Sequence, residues 1–238
     1  MAIKISLKEL IQAGAHFGHQ SRRWNPKMAP YLYGVQEGVH IFDLTKTKEC
    51  LEEALEFLKK QSSEGKVIVL VGTKKQAKEK IREVAGIAGC PFVSERWLGG
   101  TLTNFEQIKR SIDKLAKMKE EKASGAYGKF TKKERLLLQR EIDRLERFLG
   151  GLASLTGLPD VLVVVDTHKE VGAIKEASKK GLTTIGIVDS NSDPSVVDYP
   201  IPMNDDAVKG VEYVLELMGE AILEGKKKIK VEKEGAGK

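Results

Sequence analysis

The sequence contains little cysteine and no apolar run that approaches the length of a membrane span. Only Cys50 and Cys90 are present among 238 residues, too few for a disulfide framework or a cysteine-rich zinc site. Uncharged apolar runs such as 67–71 and 161–165 are far shorter than the roughly 20 residues that cross a bilayer. The first six residues also lack the apolar core of a secretory signal. We therefore expect a cytoplasmic protein without membrane spans or disulfide bonds.

Charge is abundant but unevenly distributed along the chain. The 40 Lys and Arg residues exceed the 34 Asp and Glu residues, which gives a net charge of +6. Residues 105–148 carry +5, whereas residues 149–224 carry −8. A polyanion would be attracted to some surfaces and repelled by others, so the distribution predicts oriented docking. We expect the acidic stretch to face solvent or a protein neighbour. The alternative is that the lysine-rich helices are simply solvated faces.

Two β-branched runs predict strands that are buried on both faces of a parallel sheet. Residues 67–71 and 161–165 show no polar alternation, which is typical of such strands. An amphipathic helical pattern follows each run, over 74–88 and 169–180, and a further strand is predicted over 183–188. This alternation predicts an α/β fold with helices on both faces of the sheet. An apolar share of 41% is sufficient for a packed core.

The remaining elements are predicted from caps and shorter patterns. Ser6 and Glu9 have the spacing of a capping box, and Gly14 is placed to end the helix that follows. Residues 15–39, rich in glycine, proline and aromatics, predict an irregular segment. The other predicted elements are a strand over 40–44, a helix from Thr45 or Thr47 to about Ser62, a short strand over 90–93 and a helix over 205–223.

Residues 105–149 interrupt the strand–helix alternation. Apolar residues recur there every three or four positions in two stripes, separated by a glycine-containing turn at 123–128. The pattern predicts two helices that form a protruding antiparallel hairpin (a coiled coil) with basic flanks. The alternative is an ordinary helix pair packed on the sheet. The stripes are Phe105, Ile108, Ile112 and Leu115, and Leu138, Ile142, Leu145 and Leu149.

Polar loops follow the predicted strands at the edge where α/β proteins usually bind ligands. Residues 72–75 lack the upstream glycines of a phosphate-binding loop. Residues 189–194 have calcium-like spacing, but proline stands at the sixth position in place of glycine. An enzyme that uses Asp166, His168 and Asp189 as acid, base or metal groups is the alternative to a binding protein, and it requires a deep pocket at this edge. We predict no catalytic residues and no cofactor.

Two loops combine cationic and aromatic side chains: the basic segment (residues 16–27) and the arginine–tryptophan loop (residues 95–104). Cations neutralise phosphates and aromatic rings stack on unpaired bases, so the loops favour RNA, and no pattern indicates a major-groove reader. A metal site at His16 and His19 is an alternative, but no cysteine lies nearby. The predicted RNA-binding residues are Arg22, Arg23, Lys27, Lys74, Lys75 and Arg96 for phosphates, with Trp24 and His19 for stacking, while Trp97 is predicted to anchor its loop.

Several unusual blocks occur in a fixed order along the chain. They are AGAHFGH (13–19), RRWNPKM (22–28), IFDL (41–44), GTK (72–74), RWLGGTLTNF (96–105), residues 159–166 and DSNSDP (189–194). In these blocks the sequence resembles the family of bacterial small-subunit ribosomal protein two, along almost its whole length. The resemblance does not extend to the low-complexity residues after Gly225.

The resemblance implies a flavodoxin-like parallel sheet with a protruding helical hairpin and a structural, non-catalytic role in the small ribosomal subunit. It implies binding to small-subunit rRNA and neighbouring ribosomal proteins, and support for docking of the large mRNA-binding protein. It implies no membrane, no small-molecule substrate and no functional homo-oligomer. A coiled-coil scaffold without RNA contact is the alternative. We divide the chain into an N-terminal helix and basic aromatic loop (1–41), an α/β body in two parts (42–104 and 150–224), a hairpin insertion (105–149) and a basic tail expected to be disordered (225–238).

Overall fold

A computed structural model describes the backbone of residues 4–235 and the side chains as far as Lys228. The helices are α1 (Leu7–Gln12), α2 (Leu44–Ser63), α3 (Lys78–Ala88), α4 (Phe105–Ala123), α5 (Lys132–Leu149), α6 (Val171–Lys180) and α7 (Val208–Gly235). The strands are β1 (Phe17–Gln20), β2 (Leu32–Gln36), β3 (Val39–Phe42), β4 (Ile68–Val71), β5 (Phe92–Val93), β6 (Val161–Val165), β7 (Thr183–Val188) and β8 (Tyr199–Pro202).

Five strands form a parallel sheet in the order β5-β4-β6-β7-β8. Numbered from β4, this is the order 2-1-3-4-5 of doubly wound sheets. Strand β4 pairs directly with β6, Ile68 lying opposite Val161, although 105–149 separate them in the sequence. The two predicted parts of the body therefore share one sheet. No helix among the described residues is both long and apolar enough to cross a bilayer.

Helices cover both faces of the parallel sheet, which confirms the predicted α/β arrangement. Successive side chains of β6 point to opposite faces, so Val161 and Val163 pack with α2, α3 and α7, whereas Leu162 and Val164 pack with α4, α5 and α6. All five residues of β6 are buried, which explains why its sequence shows no polar alternation.

Several element boundaries differ from their predicted positions because local hydrogen bonds compete with the helix. Asp43, rather than Thr45 or Thr47, caps α2 by accepting a bond from the Thr45 amide. Helix α3 begins at Lys78 instead of near Lys74, because the Lys74 carbonyl closes a turn with the Ala77 amide. Strands β6 and β7 have the predicted bounds.

The prediction that residues 15–39 are irregular is wrong, because β1 and β2 flank β3 in a second, antiparallel sheet. Their side chains are largely exposed, so no buried run marks them in the sequence. Strand β8 was also not predicted, since Pro200 and Pro202 weaken a strand pattern. It lies at the sheet edge, where proline is tolerated.

The apolar stripes of α4 and α5 join the same hydrophobic cluster as one face of the sheet. Lys114 Nζ also lies 3.1 Å from Glu141 Oε1 across the two helices. At the other end of the chain, α7 continues to Gly235. The expectation that residues 225–238 form a disordered tail stays a prediction. Residues 236–238 of that tail lie outside the described residues.

Candidate nucleic-acid interface

The loops that follow the parallel strands bring Lys74 together with a carboxylate cluster consisting of Asp166, Asp189, Asp205 and Asp206. Strands β4, β6, β7 and β8 lead into these residues, and parallel strands end at one edge of a sheet. Lys74 Nζ lies 2.6 Å from a carboxylate oxygen of both Asp205 and Asp206, and 3.7 Å from Asp166. Lys74, a predicted phosphate ligand, is therefore engaged within the chain.

Burial and paired charge act against each other in this cluster. Burial would lower the pKa of Lys74, but the hydrogen bonds that it donates to Asp205 and Asp206 raise its pKa well above the ordinary value. Burial raises the pKa of Asp205, and the charges of Asp189 and Asp166 add to that effect. Across the described residues, no group of three or more His, Cys, Asp or Glu side chains has the geometry to hold a metal ion.

His19 extends this network from the N-terminal sheet. Its Nδ1 lies 2.9 Å from Asp189 Oδ1, and its backbone amide donates to Ser190 Oγ at 2.7 Å. The hydrogen bond with Asp189 raises the pKa of the His19 ring despite partial burial, because the carboxylate favours the protonated form. The structure thus places a predicted stacking residue in an internal ion pair.

Two further residues of the basic segment also have partners within the chain. Lys27 Nζ lies 2.6 Å from Asp193 Oδ2 and donates to Ser195 Oγ at 3.0 Å. The ring centroid of Trp24 lies 4.8 Å from that of His40, in a tilted arrangement. Lys27 remains exposed, whereas Trp24 is half-buried.

Arg22 and Arg23 are exposed cations of the basic segment that, unlike Lys27, have no carboxylate partner in the described part of the chain. They occupy a short 3-10 turn, residues Ser21–Arg23, between β1 and Trp24. Arg22 Nε donates to Gln20 Oε1 at 3.0 Å, and neither arginine forms an ion pair with the side chains of residues 4–228. The two guanidinium groups therefore present uncompensated charge to solvent.

The arginine–tryptophan loop folds around Glu176 of α6. One carboxylate oxygen accepts from Trp97 Nε1 at 3.1 Å and from the Gly100 amide at 2.8 Å. The other accepts from the amides of Leu102 and Thr103, both at 3.0 Å. These hydrogen bonds hold the pKa of Glu176 below its ordinary value although burial opposes them. Trp97 anchors its loop, as predicted, whereas Glu176 was missed because a single glutamate on an amphipathic helix carries no distinguishing pattern.

Glu95, at the start of the same loop, is surrounded by cations. Its carboxylate lies 2.8 Å from Lys78, 2.5 Å from Arg82 and 3.1 Å from Arg147. The hydrogen bond from Lys78, with further support from Arg147, lowers the pKa of Glu95 to about 2. The next residue, Arg96, is exposed.

Arg96 and Lys75 are the other two exposed candidates. Lys75 follows β4 and Arg96 follows β5, so both lie at the edge where the parallel strands end. In the part of the chain that the structure describes, neither has a carboxylate partner within 4.0 Å. Four of the eight predicted side chains are thus open to a ligand (Arg22, Arg23, Lys75 and Arg96), and four are engaged internally (His19, Trp24, Lys27 and Lys74).

The expectation that the acidic stretch faces solvent or a protein neighbour is only partly correct. In the described part of the chain, ten carboxylates of this stretch contact the first half of the molecule. They are the four of the cluster, Asp193 on Lys27, Glu176 on the arginine–tryptophan loop, Glu170 on Thr73, Asp160 on Lys66, Glu216 on Lys80 and Glu224 on Lys59. For the enzyme alternative, Asp166 is near Lys74 and Asp189 is bonded to His19, whereas His168 is exposed. Many carboxylates of residues 149–224 therefore hold cationic segments of the same molecule in place.

The fold and the site define a doubly wound α/β protein that presents exposed arginines without carboxylate partners among the described residues. A family model described as Ribosomal protein S2 matches residues 10–225. The chain is 47% identical over 231 residues to the small ribosomal subunit protein uS2 of a Nitratiruptor species, covering 97% of this chain and 86% of that protein. It is 46% identical over 223 residues to the protein of the same name from Microcystis aeruginosa, covering 94% and 84%. The chain belongs to the ribosomal protein S2 family, whose members are structural proteins of the small subunit and not enzymes.

Proposed function

We propose that the chain binds small-subunit rRNA through phosphate contacts made by Arg22, Arg23, Lys75 and Arg96. The observation that carries the proposal is the contrast among neighbouring cations. Lys27 and Lys74 are neutralised by carboxylates, whereas Arg22 and Arg23 project into solvent from a segment that is bonded to the body. Exposed guanidinium groups bind phosphate oxygens in charge-assisted, often bidentate pairs. Because phosphate contacts carry no base information, recognition relies on the shape of the folded RNA.

The salt dependence of rRNA binding tests this proposal. Each neutralised phosphate contributes about 0.7–0.9 to the slope of log affinity against log salt concentration. The double variant Arg22→Gln/Arg23→Gln is therefore expected to lower that slope by about 1.4–1.8. The measurement is filter binding to small-subunit rRNA transcribed in vitro, over a range of salt concentrations.

Lys179→Gln/Lys180→Gln is the matched control for this experiment. These two exposed lysines end α6, immediately before β7 begins, and therefore lie at the opposite edge of the sheet. The control removes the same charge and should leave the slope unchanged. Equal slopes for all three proteins would refute the proposed contacts and favour a scaffold that associates without RNA.

We further propose that α4 and α5 extend from the body as an antiparallel coiled-coil hairpin and serve as a contact arm. Leu136 and Leu137 are exposed on α5, close to Lys132, Lys133 and Arg135, which supports an external partner for this region. We also propose that the chain works in the cytoplasm, contacts other small-subunit proteins and helps to dock the large mRNA-binding protein. Sucrose-gradient sedimentation of a lysate tests this assembly role: the chain is expected with the small subunit, and its recovery only as free protein would contradict the role.

A further inference from the structure

Two backbone amides of the basic segment donate hydrogen bonds to a single residue of the body, Ser190. The His19 amide donates to Ser190 Oγ, and the Asn25 amide donates to the Ser190 carbonyl, each at 2.7 Å. Arg22 and Arg23 lie between these two amides. At Gly18 a Cβ atom would lie 2.8 Å from Ser190 Oγ, so the close approach requires glycine there. The conformation of the arginine turn therefore depends on how firmly the segment rests on the loop after β7.

The His19 ring supplies the buried charged contact between the segment and that loop. Asp189, its partner, has no exposed surface, and the other Asp189 carboxylate oxygen accepts from the Asp205 amide at 3.2 Å. Burial alone would raise the pKa of Asp189, but the hydrogen bond and charge of His19 lower it below its ordinary value. Lys27 makes the second charged contact, with Asp193, but that pair is exposed and solvent weakens it.

We infer that His19 is a positioning residue of the RNA-binding segment: its ring, held on Asp189, fixes the turn that presents Arg22 and Arg23 to phosphate. The inference rests on the proposed function, because it requires that the two arginines contact RNA. Without the ring contact the arginines can still reach phosphates, but the segment must be ordered on binding. Ordering of a few side chains costs affinity without changing the number of phosphates neutralised.

Protonation of His19 gives the inference a distinctive pH dependence. Asp189 favours the charged ring, so the stabilisation from this ion pair is fully present below the ordinary pKa of 6.5 and is lost as pH rises through the raised value. RNA affinity should therefore fall with rising pH in the same range. The ionisable groups that face the ring from neighbouring loops are Asp189, Asp205 and Asp206, with Lys74 and Asp166 beyond them.

The test compares five full-length proteins for binding to in vitro transcribed small-subunit rRNA, at pH 6 and pH 9 and at several salt concentrations. His19→Gln should bind about 3–10-fold more weakly than the unaltered chain at pH 6, with the same salt slope. It should also lose the decrease in affinity between pH 6 and pH 9. His168→Gln is the matched control, since it makes the same change at an exposed histidine, and it should retain that decrease. Arg22→Gln/Arg23→Gln should lower the salt slope.

Separate outcomes test the inference and the function on which it rests. If His19→Gln matches the unaltered chain in affinity and pH profile while the arginine variant lowers the slope, the positioning role is refuted and RNA binding stands. If the arginine variant leaves slope and affinity unchanged, the proposed RNA contacts are refuted. Should His19→Gln not fold, the arginine variant still decides. Because it lacks Arg22 and Arg23, its affinity should decrease less between pH 6 and pH 9 than the affinity of Lys179→Gln/Lys180→Gln, which keeps both arginines. A decrease as large as in that control overturns the inference.

Discussion

The basic segment and the arginine–tryptophan loop are attached to the body by different kinds of hydrogen bond. The first is held by charged side chains, His19 on Asp189 and Lys27 on Asp193, in addition to two backbone bonds. The second is held by backbone amides and an indole N–H that converge on Glu176. Both loops leave arginines exposed. Carboxylates of the acidic stretch (149–224) therefore hold both loops, and we expect the two attachments to respond to pH in opposite directions.

Among the substitutions that distinguish the two loops, Glu176→Ala should lower the free energy of unfolding the most. Glu176→Ala leaves three amides, an indole N–H and the Thr103 hydroxyl without their acceptor. Because unmade hydrogen bonds in partly buried sites are costly, we expect a loss of about 2–4 kcal/mol in the free energy of unfolding. Urea denaturation measures it, with Glu176→Gln as a control that retains one oxygen acceptor and should lose less. A loss below about 0.5 kcal/mol would show that the loop is held by other contacts.

Asp189→Asn should lower the free energy of unfolding by nearly as much, but only at low pH. The amide cannot compensate a protonated His19 ring, so we expect a loss of about 2 kcal/mol at pH 6. As pH rises through the raised pKa of His19 the ring loses its charge, and the difference should shrink. Thermal unfolding at pH 6 and pH 9 measures this. A loss that is the same at both would mean that His19 is not protonated when it contacts Asp189.

The stabilisation that Glu95 provides at the start of the arginine–tryptophan loop should depend on pH in the opposite direction from that of His19. Its pKa falls from 4.5 to about 2 in the folded protein, so its ion pairs stabilise the fold fully above pH 4.5. This contribution is lost as pH falls from 4.5 towards 2. Unfolding measured across that range should show a shallower decrease for Glu95→Gln than for the unaltered chain. Parallel curves would indicate that the surrounding cations do not stabilise the carboxylate.

Lys27→Gln should have the smallest effect on stability. Its ion pair with Asp193 is exposed, and such pairs contribute less than about 1 kcal/mol. The small loss should decrease further at high salt, since ions screen exposed charges. Urea denaturation at low and high salt measures both quantities. A loss of several kcal/mol would place this pair, rather than His19, at the centre of the attachment.

Local patterns predicted the buried part of the fold. The valine runs of β6 and the regular spacing along α6 and α7 reflect burial that is visible in short windows of sequence. Strands β1 and β2 escaped prediction because they are exposed and depend on pairing with β3. The prolines of β8 concealed a strand whose position at the sheet edge tolerates them.

The candidate site was predictable in its cations but not in their partners. The sequence identifies Arg22, Arg23 and Arg96 as members of mixed cationic and aromatic loops. It does not reveal that Lys74 is paired with a residue 131 positions away, or His19 with one 170 positions away. Charge counted along the chain cannot distinguish an acidic stretch that faces solvent from one that docks basic loops. That distinction depends on the topology of the sheet, which brings distant strand ends together.

The structure of a small ribosomal subunit that contains this chain tests the central claim most directly. The account predicts guanidinium nitrogens of Arg22 and Arg23 within about 3 Å of phosphate oxygens, while the His19 ring remains bonded to Asp189. Arginines directed away from every nucleotide, or a basic segment released from the loop after β7 in the assembled particle, would contradict it.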